Sequence, residues 1–528
     1  MDTTSRLSSR RRARLPASSS PLRKNRSGFA GLSPMGIEEG WFLAANSKEA
    51  DTLDMATRNG IHFIGIGGIG MSGLAQIYMT KGFQVSGSDL SSTPITQRLE
   101  EAGARIFTGH AAANLTPLAD NIAKVVISTA ISADNPELLE ARRLGLPIYH
   151  RSDLLAELFL DAPTGLAVAG SHGKTTITSM VSTVLLEAGR DPTCVVGGHV
   201  PALGGNARPG QSGIFVAEAD ESDATFLKYF PHSAIITNID NDHLDHYASV
   251  EAIIKAFEIF ASHLDPAGTL YLCTDDANNR TMALPENRRI VTYGIDHPAD
   301  VMASNIQYKP FGSTFRLSIG GILRETIELA VPGKHNVLNA LPVIAFCLDL
   351  GLTLEEIQAG LLNFTGAGRR FEVKGCWEGV TVIDDYGHHP NEIRATLAAA
   401  RNLGAKRVLV IFQPHRYTRT QLLCREFGRA FADCDKLFLT EIYPSSEKPI
   451  PGVTSQLILD QMPVAQRRKA KLVKDLHQLP FQLTKIVEPG DVLFTLGAGS
   501  ITHLGPEILD SLKARSANHA VQQARPAV

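Results

Sequence analysis

From Gly60 onward, short runs of β-branched and other apolar residues alternate with segments of helical pattern. This alternation constrains the fold more than any other feature of the sequence, because strands separated by helices build parallel sheets from βαβ units. Nine segments have the composition of buried strands, and they are 61–66, 125–129, 166–169, 214–217, 234–238, 380–384, 408–412, 437–440 and 492–496. The pattern predicts an α/β protein.

The length of the chain and two breaks in the pattern predict several domains. A chain of 528 residues exceeds what one hydrophobic core usually supports. The stretch LDAPTG at 160–165 ends a helical pattern before a new strand, and the glycine-rich stretch NFTGAGRRFEVKG at 363–375 has the composition of a linker. The predicted units are three α/β domains at about 59–162, 163–366 and 367–510, with a tail at 511–528.

Residues 1–58 form a basic extension of different composition. Up to Ser27 it carries eight arginines and lysines against the single acid Asp2, in a background rich in serine and proline. Such a segment cannot bury a core, so we expect a disordered extension or a start codon assigned too early. The alternative is an organelle transit peptide, which has the same composition and would direct the chain to a plastid.

Charge, hydropathy and cysteine usage exclude several classes of protein. A net charge of -3 gives no field for binding nucleic acid, and no apolar run approaches the roughly 20 residues of a membrane helix. The six cysteines contain no CxxC pair, which argues against a zinc site and against a secreted disulfide framework. These features predict a cytoplasmic protein that acts on small molecules.

The stretch GIGGIG at 65–70 follows the first predicted strand and has the spacing GxGxxG. On glycine spacing alone this is a dinucleotide-binding loop, and Asp89 follows at about the distance of a ribose-binding carboxylate. The glycines let backbone N–H groups approach a pyrophosphate, whichever nucleotide carries it. The candidate ligand-binding residues here are Gly65, Gly67, Gly68, Ile69, Gly70 and Asp89.

A second loop, GSHGKTT at 170–176, joins the predicted strand 166–169 to a helix. In this geometry the loop N–H groups face a phosphate, Lys174 reaches the β- and γ-phosphate oxygens, and Thr175 can hold Mg²⁺. Val168 stands where the complete P-loop pattern has its first glycine. The residues predicted to bind ATP are Gly170, Ser171, His172, Gly173, Lys174, Thr175 and Thr176.

Acidic clusters follow two further strands of the same predicted domain. They comprise Glu218, Asp220, Glu221 and Asp223 after one strand, and Asp240, Asp242, His243, Asp245 and His246 after the other. Oxygen ligands at strand ends beside a phosphate loop are suited to Mg²⁺. The loop and the two clusters therefore predict one Mg²⁺–ATP site.

Three further motifs follow in the chain, GKHNVLNA at 333–340, GRRFE at 368–372 and DDYGHHPNE at 384–392. With the ATP loop and the two acidic clusters, and in this order, they make the chain resemble the Mur ligase family. The stretches IGIGGIGMSGLA and FQPHRYTR resemble the branch that joins L-alanine to UDP-N-acetylmuramate. The resemblance covers about residues 60–505.

The resemblance implies a three-domain architecture and an ATP-dependent amide ligation. Its first domain is Rossmann-like and binds uridine diphosphate rather than NAD, the central domain is a P-loop ATPase, and the Rossmann-like third domain binds the amino acid. In the implied reaction the lactyl carboxylate of UDP-N-acetylmuramate attacks the γ-phosphate of ATP, and the amine of L-alanine then displaces phosphate from the acyl phosphate. The product, UDP-N-acetylmuramoyl-L-alanine, serves peptidoglycan synthesis.

The resemblance also implies roles for individual residues. Lys174 would assist phosphoryl transfer, Thr175 and Glu218 would hold Mg²⁺, and His243 would serve a second metal ion, directly or through water. The remaining assignments are His335, Asn336, Asn339, Arg370 and Asp385 for ATP, and Tyr386, His388, Arg416 and Arg419 for the amino acid. Lys255 is slightly out of register with the carbamylated lysine of several relatives, so we predict none here.

Three interpretations remain, and the amide ligase is preferred. Within it, a sister activity such as a peptide-recycling ligase is an alternative on the same fold. The others are a nicotinamide-dependent dehydrogenase and a regulatory nucleotide-binding module that has lost catalysis.

Overall fold

The structure is a computed structural model that describes residues 58–242, 246–445 and 447–523, of which 516–523 are described by their backbone alone. Residues 1–57 of the predicted basic extension therefore lie outside the described residues, as does His243. In the described part of the chain, no helix is both long enough and apolar enough to cross a membrane.

The first sheet is parallel and has the strand order β3-β2-β1-β4-β5. Its strands are β1 (Gly60–Ile64), β2 (Gln84–Asp89), β3 (Arg105–Thr108), β4 (Ile122–Ile127) and β5 (Ile148–His150). The accompanying helices are α1 (Ile69–Thr80), α2 (Pro94–Glu101), α3 (Pro136–Arg143) and α4 (Arg151–Asp161). Strand β1 is buried along its whole length, as its apolar sequence predicts. The strand order reverses beside β1, so the glycine loop after β1 lies where open α/β sheets bind ligands.

The second sheet has ten strands in the order β15-β14-β13-β12-β11-β10-β6-β9-β7-β8. The strands are β6 (Thr164–Ala169), β7 (Thr193–Val200), β8 (Gly205–Arg208), β9 (Ile214–Glu218), β10 (Ser233–Ile236), β11 (Thr269–Cys273), β12 (Arg289–Gly294), β13 (Val301–Lys309), β14 (Gly312–Ile319) and β15 (Ile322–Leu329). Its helices are α5 (Lys174–Glu187), α6 (Val250–Ser262), α7 (Lys334–Asp349) and α8 (Leu354–Asn363). Strand β6 lies between β9 and β10 and is parallel to both, so the loops that follow these strands meet at one edge.

The third sheet has six strands in the order β16-β17-β21-β18-β19-β20, and only β16 is antiparallel to its neighbour. The strands are β16 (Glu372–Trp377), β17 (Val380–Asp385), β18 (Arg407–Phe412), β19 (Lys436–Leu439), β20 (Ala470–Leu472) and β21 (Asp491–Leu496). The helices are α9 (Pro390–Arg401), α10 (Tyr417–Leu422), α11 (Cys424–Ala430), α12 (Gln456–Asp460), α13 (Val464–Arg467), α14 (Leu479–Leu483) and α15 (Leu504–Gln523).

The predicted α/β class is confirmed, and each of the nine predicted strand segments overlaps an observed strand. We refer to the parts of the chain that contain the first, second and third sheets as the first, middle and third domains. Hydrophobic clusters cover both faces of the third sheet, one around Phe412 and Phe427 and another around Leu493 and Ile508. This two-sided burial accounts for the continuous apolar runs in the central strands.

Candidate active site

The loop between β6 and α5 has the backbone geometry of a phosphate-binding loop. Gly170 and Gly173 have φ angles of 127° and 89°, which favour glycine. A Cβ atom on Gly170 would overlap the hydroxyl of Thr237, so the loop also needs glycine for space. The N–H groups of Ser171 and His172 donate to the main-chain and side-chain oxygens of Asn238, both over 2.9 Å. These contacts fix the loop at the N-terminus of α5, where the helix dipole favours an anion.

Lys174 is the first residue of α5, and its ammonium group is held between two acceptors. Its Nζ atom donates to the carbonyl of Gly170 over 2.7 Å and to Oε2 of Glu221 over 2.6 Å. Burial alone would lower the pKa of Lys174, but the charges of Glu221 and Asp220 outweigh burial and raise it. The lysine is therefore a fixed positive charge beside the loop.

Thr175 and Glu218 form a pair of oxygen ligands next to this charge. The hydroxyl of Thr175 donates to Oε2 of Glu218 over 3.1 Å, and the N–H of Gly197 donates to Oε1 over 2.5 Å. Burial raises the pKa of the Glu218 carboxyl from its ordinary value. A cation beside this carboxylate would offset the cost of its burial, and hydroxyl and carboxylate oxygens suit Mg²⁺.

A cleft of about 550 Å³ opens from the loop between the middle and third domains. Its volume is within the usual range for small-molecule sites. The residues predicted to bind ATP that line it are His172, Gly173, Thr176, His335, Asn336, Asn339, Arg370 and Asp385. Further residues that the motifs do not assign to ATP also line the cleft, and they include His199, Phe311, Phe364, Glu372 and Thr396. Glu372 belongs to the motif GRRFE and the other four carry no motif, and only the fold shows that all five line the same cleft.

The two asparagines of α7 have different surroundings. The side-chain amide of Asn336 donates to the carbonyl of Pro332 over 2.7 Å, so this nitrogen stabilises the start of the helix. The side-chain oxygen of Asn339 lies 2.8 Å from the position that a Cβ atom on Gly173 would occupy. Next to them, burial and then the charge of Arg370 lower the pKa of His335 to about 4, so its ring is neutral.

The glycine loop of the first domain forms a separate site. Gly65 has a φ of 78°, and its N–H and that of Ile66 donate to the carbonyl of Ser88. The N–H of Gly67 donates to Oδ2 of Asp89 over 2.8 Å. Asp89 thus contacts the backbone of the glycine loop itself, whereas its spacing from the loop predicts contact with a ribose. Ile69 is half exposed at the start of α1, and its carbonyl accepts a hydrogen bond from Asn206 of β8.

The four residues predicted to contact the amino acid come together at the carboxyl edge of the third sheet. The ring of Tyr386 packs edge-on against His388, with centroids 5.2 Å apart, and His388 lies next to His415 at 5.7 Å. His415 in turn contacts Arg419, since Nδ1 of His415 is 3.3 Å from Nη1 of Arg419. Arg416 precedes α10 with a φ of 70°, and its N–H donates to the carbonyl of Tyr443.

Long-range contacts add Arg369 and Asp242 to this site, two motif residues that are not predicted to lie beside the amino acid. The guanidinium of Arg369 lies 4.9 Å from the centre of the Tyr386 ring and donates to the carbonyls of Gly497 and Ala498. The carboxylate of Asp242, from the middle domain, accepts from Nη2 of Arg419 over 2.9 Å, and both side chains are buried. The signal for Asp242 was its place in the acidic cluster, where it was interpreted as a Mg²⁺ ligand.

Comparisons with known proteins agree with this arrangement. Residues 60–162 match the Mur ligase family catalytic domain, residues 168–347 the Mur ligase middle domain, and residues 369–499 the Mur ligase glutamate ligase domain. The UDP-N-acetylmuramate--L-alanine ligase of Syntrophus aciditrophicus is 46% identical over 86% of this chain and 93% of its own length. The UDP-N-acetylmuramate--L-alanine ligase of Solibacter usitatus is 47% identical over 86% of this chain and 95% of its own length. The crystal structure of UDP-N-acetylmuramate-alanine ligase from Thermotoga maritima superimposes with a TM-score of 0.72 at 31% identity, covering 86% of this chain and 99% of that one.

Proposed function

Because the chain belongs to the Mur ligase family, we propose that it joins L-alanine to the lactyl carboxylate of UDP-N-acetylmuramate while ATP is converted to ADP and phosphate. The observation that carries the proposal is the 46% identity to a UDP-N-acetylmuramate--L-alanine ligase over 86% of this chain. The chain is an ATP-dependent ligase of peptidoglycan synthesis and contributes to building the cell wall.

Phosphoryl transfer is assigned to the loop between β6 and α5. The N-terminus of α5 and the fixed charge of Lys174 would face the β- and γ-phosphates, where negative charge concentrates during transfer. The hydrogen bond from Lys174 to the carbonyl of Gly170 supports this role, because it holds the ammonium group over the loop. Arg370 and Asp385, on the opposite side of the cleft, would contact the nucleotide from the third domain.

Thr175 and Glu218 are the residues that would hold Mg²⁺. Their oxygens already face each other over 3.1 Å, and the buried carboxylate favours a nearby cation. A bound Mg²⁺ would neutralise phosphate charge and orient the transferring group. The role of His243 in a second metal site remains a prediction from the resemblance.

The first domain is proposed to bind the uridine diphosphate part of the substrate. Gly67 and Gly68 allow the backbone to approach a pyrophosphate, and α1 adds the positive end of its dipole. The hydrogen bond from Gly67 to Asp89 supports an inference that Asp89 maintains the shape of this loop. In that role Asp89 would act through the backbone rather than through the ribose.

The third domain is proposed to bind L-alanine through Arg416 and Arg419. An arginine guanidinium matches the planar geometry of a carboxylate. Burial and then the charge of Arg419 lower the pKa of His388 to about 3, so the imidazole is neutral. A neutral ring beside Tyr386 places no positive charge next to the ammonium group of the amino acid.

The experiment that tests the proposal measures phosphate release with ATP and UDP-N-acetylmuramate across a panel of amino acids. We expect release that depends on UDP-N-acetylmuramate and is fastest with L-alanine. A peptide such as L-alanyl-γ-D-glutamyl-meso-diaminopimelate belongs in the panel, because a peptide-recycling ligase would prefer it. Faster release with that peptide than with L-alanine would contradict the proposal.

A further inference from the structure

Two histidines and an aspartate meet at the contact between the middle and third domains. His172 belongs to the ATP loop, Asp240 follows β10, and His389 precedes α9. Nε2 of His172 is 3.0 Å and Nδ1 of His389 is 3.4 Å from the same oxygen, Oδ2 of Asp240. The two imidazole rings lie against each other with centroids 4.9 Å apart.

The spacing of these groups is that of ligands around one metal ion. Two ligands of a tetrahedral Zn²⁺ at about 2.1 Å are about 3.4 Å from each other. The separations from Asp240 are close to this value, and one ligand atom from each of the three residues lies within 4.8 Å of the other two. Small side-chain adjustments would therefore bring all three to a common ion.

Glu392 orients the imidazole of His172. Its Oε1 atom is 3.3 Å from Nδ1 of His172, on the side of the ring away from Asp240. Glu392 is itself fixed, because its Oε2 atom accepts the N–H groups of His388 and His389 over 3.0 and 3.1 Å. A carboxylate on the far nitrogen of a metal-binding histidine is the usual outer-sphere arrangement.

His389 is held weakly within the cluster. Its side chain is only 4% exposed, yet the contacts of Nδ1 are long, 3.4 Å to Oδ2 of Asp240 and 3.4 Å to the backbone nitrogen of Asn391. Nε2 has no hydrogen-bond partner among the described residues, so no hydrogen bond on that side of the ring opposes a small rotation that brings Nδ1 to an ion. Burial, and then the charge of His172, lower the pKa of His389, which keeps its ring in the neutral form that binds metals.

We propose that His172, Asp240 and His389 form a site for a transition-metal dication of the Zn²⁺ class. Two imidazoles and one carboxylate favour Zn²⁺ or Co²⁺ over Mg²⁺, which prefers oxygen ligands. The site is distinct from the Thr175–Glu218 pair. Because its ligands come from two domains, a bound ion would fasten the ATP loop to the third domain and slow ligation.

The test is a Co²⁺ titration of the full-length protein, stripped of metal with a chelator and kept in millimolar Mg²⁺ so that oxygen sites are occupied. Visible absorption reports the coordination of Co²⁺, and Zn²⁺ should displace it from a single site. The variant His389→Asn removes the imidazole but keeps a favourable helix cap. We expect it to weaken Co²⁺ and Zn²⁺ binding at least tenfold to a hundredfold, and to abolish the rise in thermal midpoint that Zn²⁺ causes in the wild type.

The matched control is His297→Asn, the same substitution at a half-exposed histidine that lies 3.6 Å from Asp275 and far from this cluster in the sequence. It should bind Co²⁺ as the wild type does. Equal binding by wild type and His389→Asn, or no binding by the wild type at micromolar Co²⁺, would overturn the proposal. If His389→Asn fails to fold, Glu392→Gln tests the same site, because the amide oxygen keeps the caps while the carboxylate charge is lost, and it should weaken binding about tenfold to a hundredfold.

Discussion

At the scale of single residues, Lys174 shows how burial and charge together define a role. Because Glu221 keeps its pKa raised in a buried position, the ammonium group is available for phosphoryl transfer at any physiological pH. We expect Lys174→Ala to lower turnover by about 10²–10³-fold while the circular dichroism spectrum is unchanged. The measurement is phosphate release at saturating substrates. Lys255→Ala is the control, since Lys255 is exposed and pairs with Glu258 one turn away on the same helix. A Lys174→Ala enzyme with more than about a tenth of normal turnover would contradict the assignment.

Asp385 should make stability depend on pH in a predictable direction. Burial raises the pKa of this 6% exposed carboxyl to about 6, against an unfolded value of about 3.9. A raised pKa means that the folded state binds the proton more tightly, so the stabilisation is complete below about pH 4 and is lost as pH rises through about 6.

The comparison that isolates this effect is wild type against Asp385→Asn in urea unfolding. Asparagine cannot titrate, and its one oxygen keeps only one of the two hydrogen bonds that the carboxylate accepts, from the N–H groups of Phe371 and Gly387. The lost hydrogen bond lowers the stability of the variant by the same amount at every pH, so the test is the pH dependence of the difference. Between about pH 4 and pH 6, the stability of the wild type relative to the variant should fall by up to about 1.4 kcal/mol per pH unit. A difference that stays constant across this range would show that the carboxyl has an ordinary pKa.

At the scale of elements, the central strands were predictable and the edge strands were not. Strands such as β6 and β18 are buried on both faces, so their continuous apolar sequence identifies them. Strand β15 is largely exposed and includes Arg324 and Glu325, so its composition carries little strand signal. It is held by backbone pairing with β14, a contact that depends on the fold rather than on local sequence.

The same distinction applies to the candidate site. The motifs after central strands predict positions at the carboxyl edges of the sheets: Glu218 ends β9, Tyr386 directly follows β17, and Lys174 begins α5 after the loop that follows β6. The contact of Arg369 with Tyr386 is not predicted by the motifs, because its guanidinium is positioned by Asp384 and by carbonyls some 130 residues away in the chain. Such a role becomes visible only when the third sheet is assembled.

The glycine loop of the first domain gives a prediction for one element. A Cβ atom on Gly67 would lie 2.8 Å from Oδ2 of Asp89 and 3.0 Å from the methyl group of Thr96. Gly67→Val should therefore displace Asp89, distort the loop and raise the Michaelis constant for UDP-N-acetylmuramate most of the three substrates. Initial rates with one substrate varied at a time measure this.

Gly505→Val is the matched control, because it introduces the same side chain near the start of α15 in the third domain. The nearest atom to a Cβ on Gly505 is Cγ of the Lys374 side chain at 3.4 Å. Its effect on the same constant should be clearly smaller. If Gly67→Val chiefly raised the Michaelis constant for ATP, the first domain would not be the binding site of the uridine diphosphate.

At the scale of the whole molecule, the ATP loop and the third domain form one compartment. The cleft between them is lined from both sides, and His172 in the loop contacts Glu392 at the start of α9. An acyl phosphate is destroyed by water, so a ligase of this kind needs domains that close around the reacting groups. The contacts of His172, His389 and Arg419 are among those by which the two domains touch.

Arg419 tests whether the third domain selects the amino acid. In the structure its guanidinium binds the carboxylate of Asp242 from the middle domain, which is the same chemical group that L-alanine would present. Arg419→Ala removes a charge-assisted contact worth roughly 1.5–3 kcal/mol, so the Michaelis constant for L-alanine should rise about tenfold to a hundredfold. The constants for ATP and UDP-N-acetylmuramate should change little, because their proposed contacts lie elsewhere.

Arg401→Ala is the control, since Arg401 also pairs with an aspartate, Asp435, but does so within the third domain. If Arg419→Ala chiefly raised the Michaelis constant for UDP-N-acetylmuramate, the assignment of L-alanine to the third domain would be refuted even if ligation itself were confirmed.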